Sequence, residues 1–316
     1  MQTLWDVGVD VSSKTVVAAC AARSFAPRTL SNEPKALRRW LESLPAGTRV
    51  GVEATGSYHQ LVADLGHAVG LTVYVLNPRD VKKYAEGVGR RGKTDRVDAE
   101  VIARCVAREH DRLHAYLPAS PAQRHLEQLL KRRGKLVATR VALELGWSGV
   151  AGIKAELAGL LKAHARLLRQ VDHLIAQAVA EQPEMQVRVR RLRAIPGYGA
   201  LGSIMMAHAL LRLPFTKVDA FIAHTGLDPR ADDSGDKRGR RRLSKRGPAE
   251  LRRVMHICAM SAANTKVWRP YYLAQRAKGL SGTAALVVLA RKMARTAYGI
   301  CKQQREFDPG RLIPTA

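Results

Sequence analysis

The stretch LWDVGVDVSSKTVVAACA, residues 4–21, decides how the first part of the chain folds. Polar and apolar residues alternate up to Asp10, and a second apolar segment follows a turn made by two serines. Alternation with a period of two is typical of β-strands, so the stretch predicts a β-hairpin. RVGVE (residues 49–53) and TVYVL (residues 72–76) predict two further strands, separated by helical patterns. Strands interleaved with helices predict an α/β domain with a mixed sheet.

Local signals predict the helices of this domain, which we assign to residues 1–117. Apolar residues at helical spacing predict a helix over residues 32–44, with Ser31 or Asn32 as its N-cap. Thr94 is expected to cap a later helix that ends near residue 108. Two more helices are predicted over residues 58–68 and 79–88.

Beyond a proline-containing boundary near residue 118 the sequence becomes long, charged and helical. From Ile153 onward, apolar residues fall at heptad spacing in two rows: Ile153, Leu160, Leu167 and Leu174, and Leu157, His164, Val171 and Ala178. The pattern indicates either a coiled coil between copies of the chain or a helical hairpin packed within one copy. We assign residues 118–188 to this helical, coiled-coil region, 189–305 to a mainly α-helical C-terminal domain, and 306–316 to a disordered tail.

Composition narrows the class of protein. The chain has 316 residues and a formal net charge of +26, with an isoelectric point of about 10.6. Such an excess of positive charge indicates a polyanionic partner, most commonly nucleic acid. No apolar run reaches the roughly 20 residues that span a bilayer, and no signal peptide is evident. The four cysteines lie far apart, which favours reduced thiols in a cytoplasmic protein without a zinc site.

Four acidic residues form the first candidate site. Asp10 and Glu53 stand at the ends of two predicted strands, and Asp95 and Asp98 lie three apart at a predicted helix start. Carboxylates that converge need cations to neutralise them, and two Mg²⁺ ions, or Mn²⁺ in their place, suit oxygen ligands. The alternative is that each acid is a helix cap or a solvated group. Asp10, inside an apolar strand, argues most strongly against that alternative.

A serine beside a basic run forms the second candidate site. Ser234 precedes Gly235, and seven of the ten residues 237–246 are basic: Lys237, Arg238, Arg240, Arg241, Arg242, Lys245 and Arg246. These side chains, with Lys93 and Arg96 near the acidic pair, would contact a nucleic-acid backbone. The alternative for Ser234 is an ordinary turn residue, and Ser244 is a rival nucleophile.

A glycine-containing turn, AIPGYGALG at residues 194–202, opens the last domain. The backbone amides around Gly197 and Gly199 are expected to contact a phosphate.

Seven short motifs in fixed order carry a resemblance to a known family. They are GVDVS (residues 8–12), VEATGSYH (52–59), KTDRVDA (93–99), IPGYG (195–199), GLDPR (226–230), SG (234–235) and SKRG (244–247). In this order they resemble the DEDD-type insertion-sequence transposases, the bridge-RNA-guided recombinases. The resemblance implies a RuvC-like, RNase H-type fold for the first domain, a coiled-coil middle region and a C-terminal transposase domain.

The resemblance also implies roles for individual residues. Asp10, Glu53, Asp95 and Asp98 match the metal-binding tetrad, and Ser234 matches the serine that links covalently to a DNA end. The family arrangement implies a site composed from different subunits of a dimer that assembles into a tetramer. A structured bridge RNA would pair with donor and target DNA.

The sequence differs from the family pattern at two places, and neither includes the tetrad or Ser234. The spacing before Lys14 is one residue longer, and Ala200 stands where proline is common.

The sequence therefore predicts a Mg²⁺-dependent DNA transposase that cleaves and rejoins strands through a serine–phosphate intermediate. It would act in the bacterial cytoplasm, associated with the nucleoid when bound to DNA and not with a membrane. The first alternative is a RuvC-like junction resolvase or nuclease that uses water. The second alternative is a non-catalytic nucleic-acid-binding scaffold.

Overall fold

The computed structural model describes residues 4–90, 92, 94–230, 239 and 241–311. The chain divides into two compact units, Met1–Pro118 and Ala119–Ala316. Across the described ranges, no helix combines the length and the apolar character needed to cross a membrane.

Within the described residues, the first unit contains a five-stranded mixed sheet. Its strands are β1 (Asp6–Val11), β2 (Thr15–Cys20), β3 (Arg28–Ser31), β4 (Arg49–Glu53) and β5 (Thr72–Leu76). They lie in the order β3-β2-β1-β4-β5. The first three strands pair antiparallel, whereas β1 with β4 and β4 with β5 pair parallel. The predicted hairpin and mixed sheet are confirmed, and the topology fits the RNase H-like fold that the resemblance implied.

Helices cover this sheet and follow the predicted pattern closely. They are α1 (Pro34–Glu42), α2 (His59–Ala68), α3 (Pro78–Gly87) and α4 (Asp95–Glu109), and a 3-10 turn follows at His110–Arg112. Thr94 caps α4 as predicted, because its Oγ1 accepts a hydrogen bond of 3.3 Å from the Val97 amide. The predicted cap of α1 is wrong. Its N-cap is Glu33, while the side-chain amide of Asn32 donates to the Ser12 carbonyl at 2.9 Å.

The alternation along β1 separates two buried layers. Val7, Val9 and Val11 belong to a core cluster with Leu37 and Trp40 of α1. The intervening residues of the strand therefore lie on the opposite face of the sheet, since successive side chains of a strand alternate. On the face that carries α4, a second cluster joins residues of β5, α3 and α4: Tyr74, Leu76, Val81, Val101, Ile102, Cys105 and Val106.

The second unit is mostly helical, as predicted for this part of the chain. Its helices are α5 (Pro121–Gly146), α6 (Lys154–Ala180), α7 (Pro183–Arg193), α8 (Ala200–Arg212), α9 (Val218–Thr225), α10 (Ala249–Ala262), α11 (Arg269–Ala277) and α12 (Gly282–Lys302). Two short strands, β6 (Pro229–Arg230) and β7 (Arg242–Leu243), form an antiparallel ribbon between α9 and α10. Side chains from α5 to α12 share one hydrophobic core.

Helices α5 and α6 contact each other along their length. Arg133 of α5 pairs with Asp172 of α6 through an Nε–Oδ1 distance of 2.5 Å. The imidazole of His164 lies 2.9 Å from the Leu136 carbonyl. The two heptad rows differ in environment: His164 and Ala178 are buried, whereas Leu160, Leu167 and Leu174 are 52%, 47% and 39% exposed. One row thus packs within the chain, and a coiled coil formed by the other row stays a prediction.

The four cysteines are all buried and unpaired, in agreement with the expectation of reduced thiols. The end of the described chain differs from the disorder expected for residues 306–316. Phe307 stacks on Trp268 at a centroid distance of 6.4 Å, and Pro309–Arg311 forms a 3-10 turn. The rest of that segment, residues 312–316, lies outside the described residues.

Candidate functional site

Two glycines allow α4 to lie directly on the backbone of the sheet. Gly8 of β1 and Gly51 of β4 are register partners across the parallel pair. A Cβ atom built on Gly8 would lie 2.1 Å from the Ala99 carbonyl oxygen. A Cβ atom built on Gly51 would lie 2.4 Å from a Val106 methyl carbon. Only glycine permits this approach, so the pair of glycines sets the position of α4.

Asp10 and Glu53 follow these glycines by two residues on their respective strands. Since side chains alternate along a strand, both carboxylates lie on the sheet face that α4 covers. The register continues Val9 opposite Val52, which makes Asp10 and Glu53 neighbours on adjacent strands. Both residues are half-buried. The sheet therefore presents two of the four predicted acids side by side at the ends of parallel strands.

Asp95 and Asp98 occupy the first turn of α4. Asp98 immediately precedes Ala99, whose carbonyl rests on Gly8. Asp95 lies three residues earlier, at a helical rise of about 4.5 Å. Asp98 is half-buried and Asp95 is exposed. The start of α4 thus lies on the same sheet face as Asp10 and Glu53, which joins segments separated by more than 40 residues.

Carboxylate oxygens are the ligands that hard divalent cations prefer, so the chemistry of these four residues fits Mg²⁺. Among the residues that the structure describes, no three His, Cys, Asp or Glu side chains come together in a group able to hold a metal ion. The fold brings the strand ends that carry Asp10 and Glu53, and the first turn of α4, to one face of the sheet. A metal site formed by these four acids stays a prediction.

The second candidate site is described only in part. Ser234, Lys237, Arg238 and Arg240 lie outside the described residues, as does Lys93 of the first site. The flanking strands are described: Arg230 of β6 pairs with Arg242 of β7. The two residues that flank the segment with Ser234, Arg230 and Arg242, are therefore neighbours in the ribbon. Arg242 of β7 and the preceding Arg241 are exposed, Lys245 follows the ribbon, and Arg246 ends the basic run.

A partly buried hydrogen-bond cluster, the ribbon clamp, holds the base of this ribbon. It consists of Asp228, Ser244 and Arg252. The Ser244 hydroxyl donates to the Asp228 carboxylate, and the Ser244 amide donates to the Asp228 carbonyl at 2.9 Å. Arg252 donates through Nη1 to the Gly247 carbonyl. Ser244 is only 8% exposed. Ser244, the alternative nucleophile, therefore stabilises the base of the ribbon.

Close backbone contact reinforces the ribbon clamp. A Cβ atom on Gly247 would lie 1.9 Å from the His224 carbonyl oxygen at the end of α9. Gly226, the C-cap of α9, has a φ of +68°, in the left-handed region that favours glycine. Lys245 also has a positive φ, of 53°. The GLDPR and SKRG motifs therefore meet as two backbone segments in direct contact.

The glycine turn before α8 has a packing role. Gly197 has a φ of +96°, and a Cβ atom there would lie 2.5 Å from the Ala262 side chain of α10. Gly199 is exposed and is the N-cap of α8, which begins at Ala200. Packing against α10 explains why Gly197 is glycine, and the phosphate contact of this turn stays a prediction.

A cavity of about 310 Å³ lies within the second unit, and its walls include α5, α8, α9 and α10. Burial lowers the pKa of both His208 and His224 below the usual value of 6.5. Burial alone would raise the pKa of Glu127, but the hydrogen bond and charge of Lys131 lower it overall. Neither histidine is among the residues that the sequence analysis singled out, because no recognisable motif includes them.

Sequence reasoning also missed most of a basic groove in the first unit. Arg96 was predicted to bind nucleic acid, but Arg23, Arg90, Arg104 and Arg108 line the same groove. The available signal was the spacing of four residues between positions 96, 100, 104 and 108, which places them on one face of a helix.

Comparisons with known proteins agree with this architecture. Residues 7–145 match the transposase family model DEDD_Tnp_IS110, and residues 189–273 match the model of the transposase IS116/IS110/IS902 family. The chain is 25% identical to a pilin gene-inverting protein of Moraxella bovis, covering 96% of this chain and 97% of that protein. It is 28% identical to a probable family 20 transposase of Pseudomonas aeruginosa, over 83% and 86% of the two chains. It is 27% identical to the transposase of insertion sequence element IS1328 of Yersinia enterocolitica, over 82% and 85%.

A mixed-sheet α/β unit with acids on one face, followed by a mostly helical unit, is the architecture of a DEDD-type transposase, an enzyme that recombines DNA. The two family matches occur in the expected order and extend over both units. The chain belongs to the IS116/IS110/IS902 family of transposases.

Proposed function

We propose that this transposase is a metal-dependent, RNA-guided recombinase that cleaves and rejoins DNA through a covalent bond to Ser234. One observation carries the proposal. The glycine pair Gly8 and Gly51 seats α4 on the sheet so that Asp10, Glu53 and the first turn of α4 share one face. Acids from three separated segments on one face are the arrangement expected of a nuclease-type metal site.

Asp10, Glu53, Asp95 and Asp98 are the residues that would hold the metal. A bound pair of Mg²⁺ ions, or Mn²⁺ in their place, would supply Lewis-acid stabilisation of charge on the phosphate oxygens. The protein's own part is to place the four carboxylates on one face of the sheet. The rigid sheet and α4 perform that placement, because elements of regular structure hold side chains more accurately than loops do.

Ser234 provides the nucleophile in this proposal. Its oxygen bonds to the phosphorus of a DNA phosphodiester while the bond from phosphorus to one DNA oxygen breaks. The serine proton ends on the departing oxygen, which becomes a free hydroxyl. Attack by the hydroxyl of another strand reverses the step and rejoins the DNA. Basic side chains of the run hold the phosphate and balance its developing charge: Lys237, Arg238, Arg240, Arg241, Arg242, Lys245 and Arg246.

The environment of Ser244 supports the choice of Ser234. A nucleophile has to reach the phosphate, whereas the Ser244 hydroxyl is buried and donates its hydrogen to Asp228. Ser234 instead lies in the segment between β6 and β7, next to Gly235 and to the basic run. Glycine after the serine permits close approach of backbone to a phosphate.

The remaining parts of the proposal concern partners. A structured bridge RNA would pair with donor and target DNA, which suits a chain with a net charge of +26 spread over its length. Copies of the chain would form a dimer that assembles into a tetramer. The exposed row Leu160, Leu167 and Leu174 supports contact between copies, since heptad spacing of apolar residues is typical of helix pairing.

The proposed strand exchange could produce either inversion or insertion of DNA. The name of the Moraxella bovis relative refers to inversion of a pilin gene, and those of other relatives refer to insertion sequences. Cutting and rejoining through a serine–phosphate bond serves both outcomes, because it conserves the energy of the phosphodiester.

The decisive experiment compares Ser234→Ala, Asp10→Asn and the control Ser148→Ala in an exchange assay with DNA, RNA and Mg²⁺. Ser234→Ala is expected to bind DNA normally and to form no covalent protein–DNA adduct on a denaturing gel. Asp10→Asn is expected to remove metal-dependent activity, while Ser148→Ala, an exposed loop residue, behaves as wild type. DNA cleavage by Ser234→Ala would instead indicate a nuclease that uses water. No activity in the wild-type protein would indicate a binding scaffold.

The RNA guide is tested separately by sequencing RNA that co-purifies with the protein. One structured RNA species from the non-coding end of the element is the expected result. A random sample of cellular RNA would contradict RNA guidance while leaving the serine chemistry intact.

A further inference from the structure

A groove of about 720 Å³ lies in the first unit between the end of β2, the turn that follows it, and α4. Five arginines line it: Arg23, Arg90, Arg96, Arg104 and Arg108. We propose that this α4 arginine groove binds the sugar-phosphate backbone of a DNA strand, as a contact separate from the four acids. The inference rests on the activity on DNA that defines the family and deepens the proposed function.

The spacing of side chains along α4 suits an extended polyanion. Arg96, Glu100, Arg104 and Arg108 recur every four residues, so they form a continuous stripe on one side of the helix. Twelve residues of helix extend over about 18 Å. At about 3.4 Å of duplex length per nucleotide, the stripe would follow about five nucleotides of one strand. A small anionic ligand would need no row of this length.

The charge of the groove is strongly one-sided. Glu100 accepts hydrogen bonds from both Arg90 and Arg96, each at 3.3 Å. Within the described part of the chain, no carboxylate lies within ion-pair distance of Arg23, Arg104 or Arg108. The five arginines and one glutamate therefore carry a net charge of +4. A solvated helix face usually alternates charges of opposite sign, whereas this face keeps an excess of positive charge that favours phosphate.

The turn that follows β2 and lines the groove opposite α4 has an unusual backbone conformation. Arg23 has a φ of 54°, in the left-handed region that L-residues rarely adopt. The turn is closed by a hydrogen bond of 3.1 Å from the Arg23 amide to the Cys20 carbonyl. Two residues on, the Phe25 ring packs against Trp5 at a centroid distance of 5.7 Å. The turn thus adds a fifth cation and an aromatic wall to the groove, an arrangement common in sites that follow a nucleic-acid strand.

The test measures DNA affinity as a function of salt for Arg104→Ala/Arg108→Ala and a matched control. Lys35→Ala/Arg39→Ala removes the same charge, at the same spacing of four, from exposed positions of α1 in the same unit. Fluorescence anisotropy with a duplex at roughly 50–200 mM salt gives the slope of log affinity against log salt. Each lost phosphate contact reduces that slope by about 0.9.

The groove variant is expected to lose about 1.8 from the slope and about tenfold in affinity, while the control stays close to wild type. Equal losses in both variants would overturn the proposal, because they would reflect net charge alone. A loss seen only with structured RNA and not with DNA would also overturn it. Asp10→Asn, which keeps the groove, should retain the wild-type slope. Failure of the proposed catalysis would then leave the result for the groove unchanged.

Discussion

The two units bring backbone segments together by the same means and stabilise them differently. In the first unit, Gly8 lies in mid-strand and the contacting Ala99 lies in a long helix. In the second unit, Gly247 lies in a loop and contacts the end of α9 at His224. Sheet hydrogen bonds and a shared core hold the first contact, whereas the ribbon clamp holds the second. The acids therefore depend on the packing of a whole unit, whereas the β6–β7 ribbon depends on a few local hydrogen bonds.

The largest expected effect comes from placing a methyl group under α4. Gly8→Ala sets a Cβ atom 2.1 Å from the Ala99 carbonyl, so α4 has to move away from the sheet. We expect the free energy of unfolding to fall by about 3 kcal/mol. Hydrogen exchange in α4 should rise and metal-dependent activity should be lost. Gly87→Ala is the control, because a Cβ atom there meets no atom within 4 Å. Equal stability of the two variants would contradict the proposed seating of α4.

A smaller effect is expected in the second unit. Ser244→Ala leaves the Asp228 carboxylate without its buried donor, which should cost about 1–3 kcal/mol of unfolding free energy. Adduct formation through Ser234 should slow without disappearing, as measured by the rate of covalent DNA capture. Ser244→Thr retains a hydroxyl and should restore part of the rate. Complete loss of the adduct in a folded Ser244→Ala protein, with adduct still formed by Ser234→Ala, would make Ser244 the nucleophile.

The smallest effect concerns pH. Burial lowers the pKa of His208 and His224 in the folded state, so the unfolded chain takes up protons first as the pH falls. Their contribution to stability is complete above about pH 6.5, the unfolded value, and is lost as the pH falls through the lowered values.

Thermal unfolding should therefore show Tm falling by a few degrees from pH 7.5 to pH 5.5. His208→Gln/His224→Gln should have a flatter pH profile, although Tm is lower at pH 7.5. The control is His125→Gln/His173→Gln, which replaces two exposed histidines. A pH profile of the first variant as steep as that of the wild type would contradict this origin of the pH dependence.

Regular elements could be predicted from the sequence wherever local periodicity was strong. The hairpin of β1 and β2 and the cap of α4 by Thr94 are examples. Prediction failed where the signal was weak or ambiguous. The short strand β3 is mostly exposed and has no alternating pattern. The start of α1 is set by Pro34 at its first position, and this overrode the two polar residues that were expected to cap it.

The heptad rows show another limit. Both rows have the spacing of an interface, but only contact with α5 decides that His164 is buried while Leu160 remains exposed. Periodicity indicates that a helix has an apolar face, but it does not indicate which partner covers that face.

The sequence by itself determined the residue types and their local order: acids after strands, a capped helix that starts with Asp95 and Asp98, and a serine before a basic run. Tertiary structure alone decided which of these meet. The packing of Ala99 on Gly8 joins positions 91 residues apart, and the arginine groove joins β2 with α4. The hydrogen bond that Ser244 donates to the Asp228 carboxylate gives Ser244 a structural role. Local patterns cannot specify such contacts, because each depends on how closely two distant backbones can approach.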